Sequence, residues 1–590
     1  MWVADRSVLL TWRAWAGTGH PCVAYFPLRG RDHSSGSNME SLQMTSRLWR
    51  SAYSVLAVAL CCSLLPAADS FLVDDGEALP RNMTAREKAL IEVEPIQIPA
   101  IRTGAPVGPV VTPGEYVATE AIIVSWTGTT GWLNILAQMG AQITTVGDAD
   151  LHVIHGSTAA RNDAQSRLTN AGANMSRVKY FPISLNSIWV RDYGPRFIYE
   201  GGVRTIVDHT YNRPRPQDNA MPTSYAAQRD IIRYDLPLIH GGGNYHLFSE
   251  DPGFATVLID DENPGLSQSQ IIAIWQQYQN MATTLTSAFP TSVDSTQHID
   301  MWMIPVSDTT IIVSEWPAQP GTVQANICNA FASTMQGLGY TVFRTPARTV
   351  SGVHYTYTNS VICNDLILIP SYTNSTVSPY NAQALAVWQA AAPGKTIVQI
   401  NCQAIVTAAG VMHCIVKHVP ANSGGENPVA HLRTPRGGEA FDPDDVVVIE
   451  WISDDDLGVT AIDVLLSIDG GDTFDTVLAS GLTEKDGTFV WTVPDLYTEE
   501  GVIRVVAWDA DGNSGTDQGD GFITINGMIP NPCVGDINGD FKTDLNDFII
   551  LAGNFGMTEG AGLTDGDLNG DGAVDLDDFI ILAGDFGCSL

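Results

Sequence analysis

From about residue 116 to 420 short apolar runs alternate with amphipathic stretches, a pattern that predicts a mixed α/β domain of roughly 300 residues. The runs Ala121–Trp126, Thr310–Val313, Val361–Pro370 and Thr396–Ile400 predict strands, and Ser267–Phe289 and Thr322–Leu338 predict helices. From about 430 to 526 the pattern changes. Val446–Trp451, Ala461–Ile468, Thr488–Val493 and Val502–Asp509 read as strands separated by Gly/Asp turns, which predicts an immunoglobulin-like β-sandwich with Trp451 and Trp491 in its core. The stretch Ser467–Phe474 reads as a tight hairpin turn. Residues 69–115 are rich in Pro, Ala and Glu and read as a linker or a loosely attached arm.

The beginning of the chain reads as a targeting signal. Arg47 and Arg50 precede the apolar run Ala52–Leu65, with small residues Ala67 and Ala68 after it. This places a signal peptide at 44–68, with Met44 as its start and 1–43 as a doubtful upstream extension. No later segment reaches the ~20 apolar residues of a membrane span, so the expected location is secreted or cell-surface.

Charge separates the two halves. Residues 426–590 hold 34 Asp and Glu against 5 Lys and Arg, a net of −29 out of −35 for the 590-residue chain. This argues against nucleic-acid binding and for solubility or cation binding by the C-terminal part. Part of the acidity is a repeat: the segment from Asp536 returns at Asp567, each copy an acidic loop followed by an apolar helix. In the second copy Asp567, Asn569, Asp571, Asp575 and Asp578 stand at loop positions 1, 3, 5, 9 and 12, with Gly572 at position 6. That is an oxygen-rich spacing suited to Ca²⁺. The first copy offers Asp536, Asn538, Asp540, Asp544 and Asp547, with Phe541 in the place of the glycine. The pair, at 533–590, resembles a dockerin type I domain, which implies a cohesin-type partner. Cys533 and Cys588 flank it and could be disulfide-bonded.

Four segments of the α/β domain carry unusual polar chemistry: Trp189-Val-Arg-Asp-Tyr-Gly-Pro, Gly241-Gly-Gly-Asn, Gln297-His-Ile-Asp-Met and Met412-His-Cys-Ile. Each lies beside an apolar run, so each is expected where a strand ends and a loop begins. In an extended strand His298 and Asp300 would share one side. Cys414 as a nucleophile needs a base or a cationic environment to form a thiolate. Taken singly, each segment reads better as structure: a lone cysteine in a strand as core, a lone aspartate before Tyr-Gly-Pro as a turn residue.

Together with Tyr211-Asn-Arg-Pro-Arg-Pro and Tyr357-Thr-Asn-Ser, these segments resemble, in order, the Porphyromonas-type peptidylarginine deiminases, which are similar to agmatine deiminases. The resemblance implies a pentein fold, an α/β propeller of five pseudo-repeated ββαβ units with the site in its central channel, over 116–420. It implies that Cys414 attacks a guanidinium carbon to form a covalent thiouronium, and that His298 acts as general acid and base. Asp192 and Asp300 would hold the planar cation bidentately, as its fork of donors allows. Asn359 would line the site. Trp189 would stack on the cation or serve as core, and Gly243 would permit a tight turn. Arg213 and Arg215 would grip the carboxylate of a C-terminal arginine, or stand in a solvated Pro-rich turn. The products would be citrulline and ammonia, with no cofactor for catalysis. Two other readings stay open: an agmatine deiminase or other small-guanidine iminohydrolase, and a non-catalytic, calcium-dependent cell-surface binding protein.

Overall fold

The computed structural model describes residues 78–590 apart from 101 and 250, so the signal peptide and upstream extension expected at 1–68 lie outside the described residues. Within residues 110–420 five small sheets share one connectivity, and Arg348–Val350 and Val353–Tyr355 pair as a separate hairpin. In each of the five, a first strand pairs antiparallel with a second, and a helical crossover returns a third strand parallel to the second. Unit one is Arg196–Glu200, Val203–Tyr211 and Arg233–His240. Unit two is His246–Leu247, Gly253–Thr256 and Thr283–Thr286. Unit three is Met303–Ser307, Thr310–Glu315 and Thr341–Pro346. Unit four is Val361–Cys363, Leu366–Ser371 and Thr396–Asn401. In unit five Lys417–Pro420, the last strand of the domain, pairs with Thr119–Ser125, which runs parallel to Asp150–His155. The two ends of the domain thus close on each other. This is the fivefold repeat that the resemblance implies.

Local chemistry explains where the elements start and stop. Ser267 caps the helix Gln268–Gln279 through a reciprocal box with Gln270, and Asn280 ends it in the left-handed region at φ 52°. The expected helix to Phe289 therefore stops ten residues early, and Thr283–Thr286 is the third strand of unit two. The expected strand Val361–Pro370 is a hairpin, because Asn364 turns the chain at φ 51°. The central strand reading Ala121-Ile-Ile-Val is buried on both faces, as a continuous apolar run in a parallel pair should be.

Residues 429–526 form two sheets around one core holding Trp451, Trp491, Leu432, Val464 and Val505. Ser467–Phe474 lies in the turn that joins the antiparallel strands Ala461–Ser467 and Thr476–Leu482. The tail consists of two loops and the helices Leu545–Asn554 and Leu576–Asp585, closed by a Cys533–Cys588 disulfide. Phe541 adopts φ 63°, the same left-handed turn as Gly572 at φ 84°, so the phenylalanine bears the strain without changing the loop.

The reading of 69–115 as loosely attached does not survive in its described part. Residues 78–82 run into the interior of the α/β domain, where Arg81 is fully buried, and Val110–Val111 adds a strand to unit one. No helix among the described residues is long and apolar enough to cross a membrane.

Candidate active site

The polar segments singled out in the sequence occupy one structural position repeated around the domain. Turns at Val190–Tyr193, Gly242–Asn244, Ile299–Met301 and His413–Ile415 each lead into the first strand of a unit, and Asn359 stands two residues before the first strand of unit four. They lie where a loop ends and a strand begins, the reverse of the expected order. His298 and Asp300 do not share a strand. His298 is extended and Asp300 sits in a 3₁₀ turn, and the turn still aims both at one point.

At that point lies a guanidinium of the chain itself. Arg81 Nε and Nη2 donate to the two oxygens of Asp192 at 2.9 and 2.8 Å. Its Nη1 and Nη2 donate to the two oxygens of Asp300 at 3.1 and 3.0 Å. Nη2 also lies 2.7 Å from His298 Nδ1. Two bidentate carboxylates on a planar cation in a dry site use the strongest hydrogen-bond geometry that proteins have. Burial alone would raise both carboxyl pKa values, and the Arg81 charge holds them well below the usual range instead.

Cys414 lies beside this cation. Its Sγ is 3.6 Å from Asp300 Oδ2, and Asn359 Nδ2 donates to it at 3.1 Å. Burial pushes the thiol well above its ordinary pKa, the Arg81 charge pulls it down, and the two carboxylates push it up again. A cation in the site therefore favours the thiolate. Gly243 supplies space more than turn geometry. A Cβ there would lie 2.0 Å from Arg81 Nη2 and within 3 Å of both carboxylates. Gly410 does the same on the other side, where a Cβ would meet Trp189, Arg81 Cδ and Cys414 Sγ.

Trp189 is buried against Trp132 with ring centroids 5.6 Å apart, and its indole N–H donates to the Leu79 carbonyl at 2.9 Å. Of the two readings offered for it, core packing is the one the geometry favours, with the added task of holding the arm's backbone. Arg213 and Arg215 are not solvated. Arg213 Nε donates to the main-chain carbonyl of Arg81 at 3.3 Å. Arg215 pairs with Glu87 at 2.7 Å and donates to the Pro80 carbonyl at 2.8 Å.

Three partners escaped the sequence reading. His413 bridges Asp300 Oδ2 at 2.9 Å and Glu115 at 2.7 Å, and Arg191 pairs with the same Glu115. His413 stands in a quoted motif, yet nothing in its neighbours signals that it orients Asp300. Glu115 and Arg81 stand in the Pro-rich arm, away from any motif. Glu115, His246 and His413 also offer ligand atoms within 4.8 Å of one another, but His413 and Glu115 already spend theirs on this network.

In the tail, Asp536 accepts the N–H groups of Gly539, Asp540 and Phe541, and Asp547 accepts those of Ile537, Asn538 and Asp544. Asp567 and Asp578 repeat the pattern in the second loop. The remaining candidate ligands, Asn538, Asp540, Asp544, Asn569, Asp571 and Asp575, lie in the same two loops.

Residues 111–420, just over half of the chain, match the family described as Porphyromonas-type peptidyl-arginine deiminase. An agmatine deiminase of Ectopseudomonas mendocina is 22% identical over 316 residues, covering 45% of this chain and 82% of its own length. One from Pseudomonas fluorescens is 22% identical over 311 residues, 45% of this chain and 83% of its own. The solved agmatine deiminase of Enterococcus faecalis aligns at 20% identity and TM-score 0.48, covering 55% of this chain and all of the other (100%). A substrate-bound agmatine deiminase of C. jejuni aligns at 16% identity and TM-score 0.47, covering 53% and 97%. Deiminases of this family need no cofactor for catalysis. The chain belongs to the Porphyromonas-type peptidyl-arginine deiminase family, whose members are guanidino-group deiminases, hydrolases acting on carbon–nitrogen bonds.

Proposed function

We propose that this chain is an exported deiminase that hydrolyses the guanidinium of peptidyl arginine to citrulline and ammonia. The observation that carries the reading is the seating of Arg81. Its side chain lies between Asp192 and Asp300, and its own main-chain carbonyl accepts from Arg213. A terminal carboxylate on a bound arginine would present an oxygen where that carbonyl now lies, so the Arg213 contact favours an arginyl substrate over agmatine, which has no such group. Arg215 stands one step further along, on Glu87. The arm continues past Arg81, so the site also has room for an arginine within a chain.

In this mechanism the bound cation stabilises the Cys414 thiolate, which attacks the guanidinium carbon. His298, on Nη2, protonates the departing ammonia and then takes a proton from the water that hydrolyses the thiouronium. Asn359 steadies the sulfur, and His413 fixes Asp300.

We read the sandwich at 430–526 as immunoglobulin-like and the tail at 533–590 as dockerin-like, binding Ca²⁺ in its two loops. The fit rests on donor chemistry. Each loop gathers hard oxygen ligands, and Asp547 and Asp578 are fully buried without a cationic partner among the described residues. A cohesin-type partner and an extracellular or cell-surface site follow from the same reading.

The test compares three substrates: a peptide ending in arginine, a peptide with an internal arginine, and agmatine. Arg213→Ala should lower kcat/KM on the C-terminal arginine about tenfold or more relative to agmatine, because it removes a charge-assisted bond worth roughly 1.5–3 kcal/mol. Equal losses on both would reject the carboxylate role.

A further inference from the structure

The arm at residues 78–93 is built to present one arginine. Thr84 and Glu87 form a reciprocal capping box at the start of the helix Ala85–Val93, which fixes the turn just after Arg81. Four consecutive residues are then held through their backbone. Trp189 binds the Leu79 carbonyl, Arg215 binds those of Pro80 and Asn82, and Arg213 binds that of Arg81. The Arg81 N–H donates to the Ala408 carbonyl at 3.0 Å. Contacts of this kind read chain direction and depth, and they leave the guanidinium as the side chain that enters the site. Asp192, Asp300, His298 and Asn359 surround it and Cys414, the groups that the hydrolysis of any arginine would need. A cavity of ≈ 1260 Å³ lies alongside, lined by Asn82, Met83 and Ile91 of the arm and by Arg213, Glu262 and Gln297 of the domain. It gives the arm somewhere to move.

Resting on the deiminase reading, we propose that Arg81 is the enzyme's own first substrate, converted to citrulline within the same molecule, and that this conversion releases the arm and opens the site. The Cys414 Sγ–Arg81 Cζ bond forms and the Cζ–Nη2 bond breaks. Nη2 leaves as ammonia with a proton from His298. Water then adds to Cζ, one of its protons returns to His298 and the other goes to the released ammonia, and the Cζ–Sγ bond breaks as the thiolate leaves. The sum is guanidinium plus water to ureide plus ammonium, with no change of oxidation state. The product is neutral. It cannot pair with Asp192 and Asp300 as a cation does, so two buried carboxylates are left without their counter-charge and the arm is expelled. Tethering makes this first turnover independent of protein concentration, whereas an arginine from outside must wait for the arm to leave.

The experiment is peptide mass mapping across residue 81 in full chains purified in parallel as wild type and as Cys414→Ser. Wild type should carry citrulline at 81, seen as the exchange of an imino group for oxygen and as resistance to trypsin at that bond. Cys414→Ser should carry arginine. When Cys414→Ser is mixed with active Arg81→Ala enzyme, its Arg81 should stay arginine, because it is buried in its own site. Conversion in that mixture would overturn the intramolecular step. Wild type that releases citrulline from an added arginyl peptide while Arg81 stays intact would overturn the proposal and leave the deiminase reading standing. Wild type and Arg81→Ala both inert on every added guanidine would remove the two together.

Discussion

Asp192 and Asp300 meet the Arg81 guanidinium along two of its edges, and Gly243 leaves the corner between them open for Nη2. No larger residue fits that corner. Gly243→Ala would place a methyl carbon 2.0 Å from the nitrogen, in a turn whose backbone any residue can adopt. Activity on every guanidine substrate should fall at least ~100-fold in kcat/KM, with a melting temperature close to wild type, since a lost bidentate pair amounts to several charge-assisted bonds. A variant that keeps substantial activity would show that the guanidinium of a free substrate sits elsewhere. Among the residues, Cys414, His298, Asp192, Asp300 and Asn359 were legible because each stands in a short motif. His413 and Glu115 were not, because an orienting role depends on partners almost 300 positions apart in the chain, which no local spacing encodes.

The five units share a strand–strand–helix–strand path, yet the strand-leading turns do not repeat one residue: two carry aspartate, and the others glycine, asparagine and cysteine. What repeats is backbone topology, so self-comparison of the sequence shows nothing, although the motifs were all visible. The arm was misread for a similar reason. Its Pro-rich composition matches a linker, and its docking depends on Arg213, Arg215 and Trp189, far away in sequence. Docking should also respond to pH. Burial would raise the Glu87 carboxyl, but Arg215 and Thr84 hold it below its ordinary value. A carboxyl whose pKa is lower when docked contributes docking free energy that is fully present above its undocked value, about 4.3, and lost as pH falls through the docked value. In the Cys414→Ser protein, which retains Arg81 as arginine, pepsin should cut within 82–93 increasingly as pH drops below about 4. Glu87→Gln should be cut to the same extent across that window. Parallel pH dependence in both proteins would place the acid-sensitive group elsewhere.

At the scale of the whole molecule the proposed catalytic groups span 192–414 and the candidate calcium ligands span 536–578, with the sandwich between them. Eight of the ten candidate ligands are aspartates crowded into two loops, and the tail's core is small: Ile537, Leu551, Val574 and Leu582. Binding of Ca²⁺ to such loops appears as folding free energy of the module. Chelation should therefore make the chain protease-sensitive from about Pro530 onward, while the Cys533–Cys588 disulfide keeps fragments linked until reduction. Citrulline formation should be unchanged. If a chelator still stops catalysis in a chain lacking the tail, calcium acts in the deiminase domain and this division of labour is wrong.

Single-turnover trapping asks whether Cys414 attacks a guanidinium held between Asp192 and Asp300. Wild-type enzyme in excess is mixed with a peptide ending in arginine, quenched in acid, and its Cys414 peptide is weighed. A transient adduct on Cys414 equal to the substrate less ammonia should appear before citrulline and be absent from Cys414→Ser, which should release no citrulline. Citrulline formed by Cys414→Ser at a comparable rate, or an adduct on another cysteine, would contradict that role for Cys414.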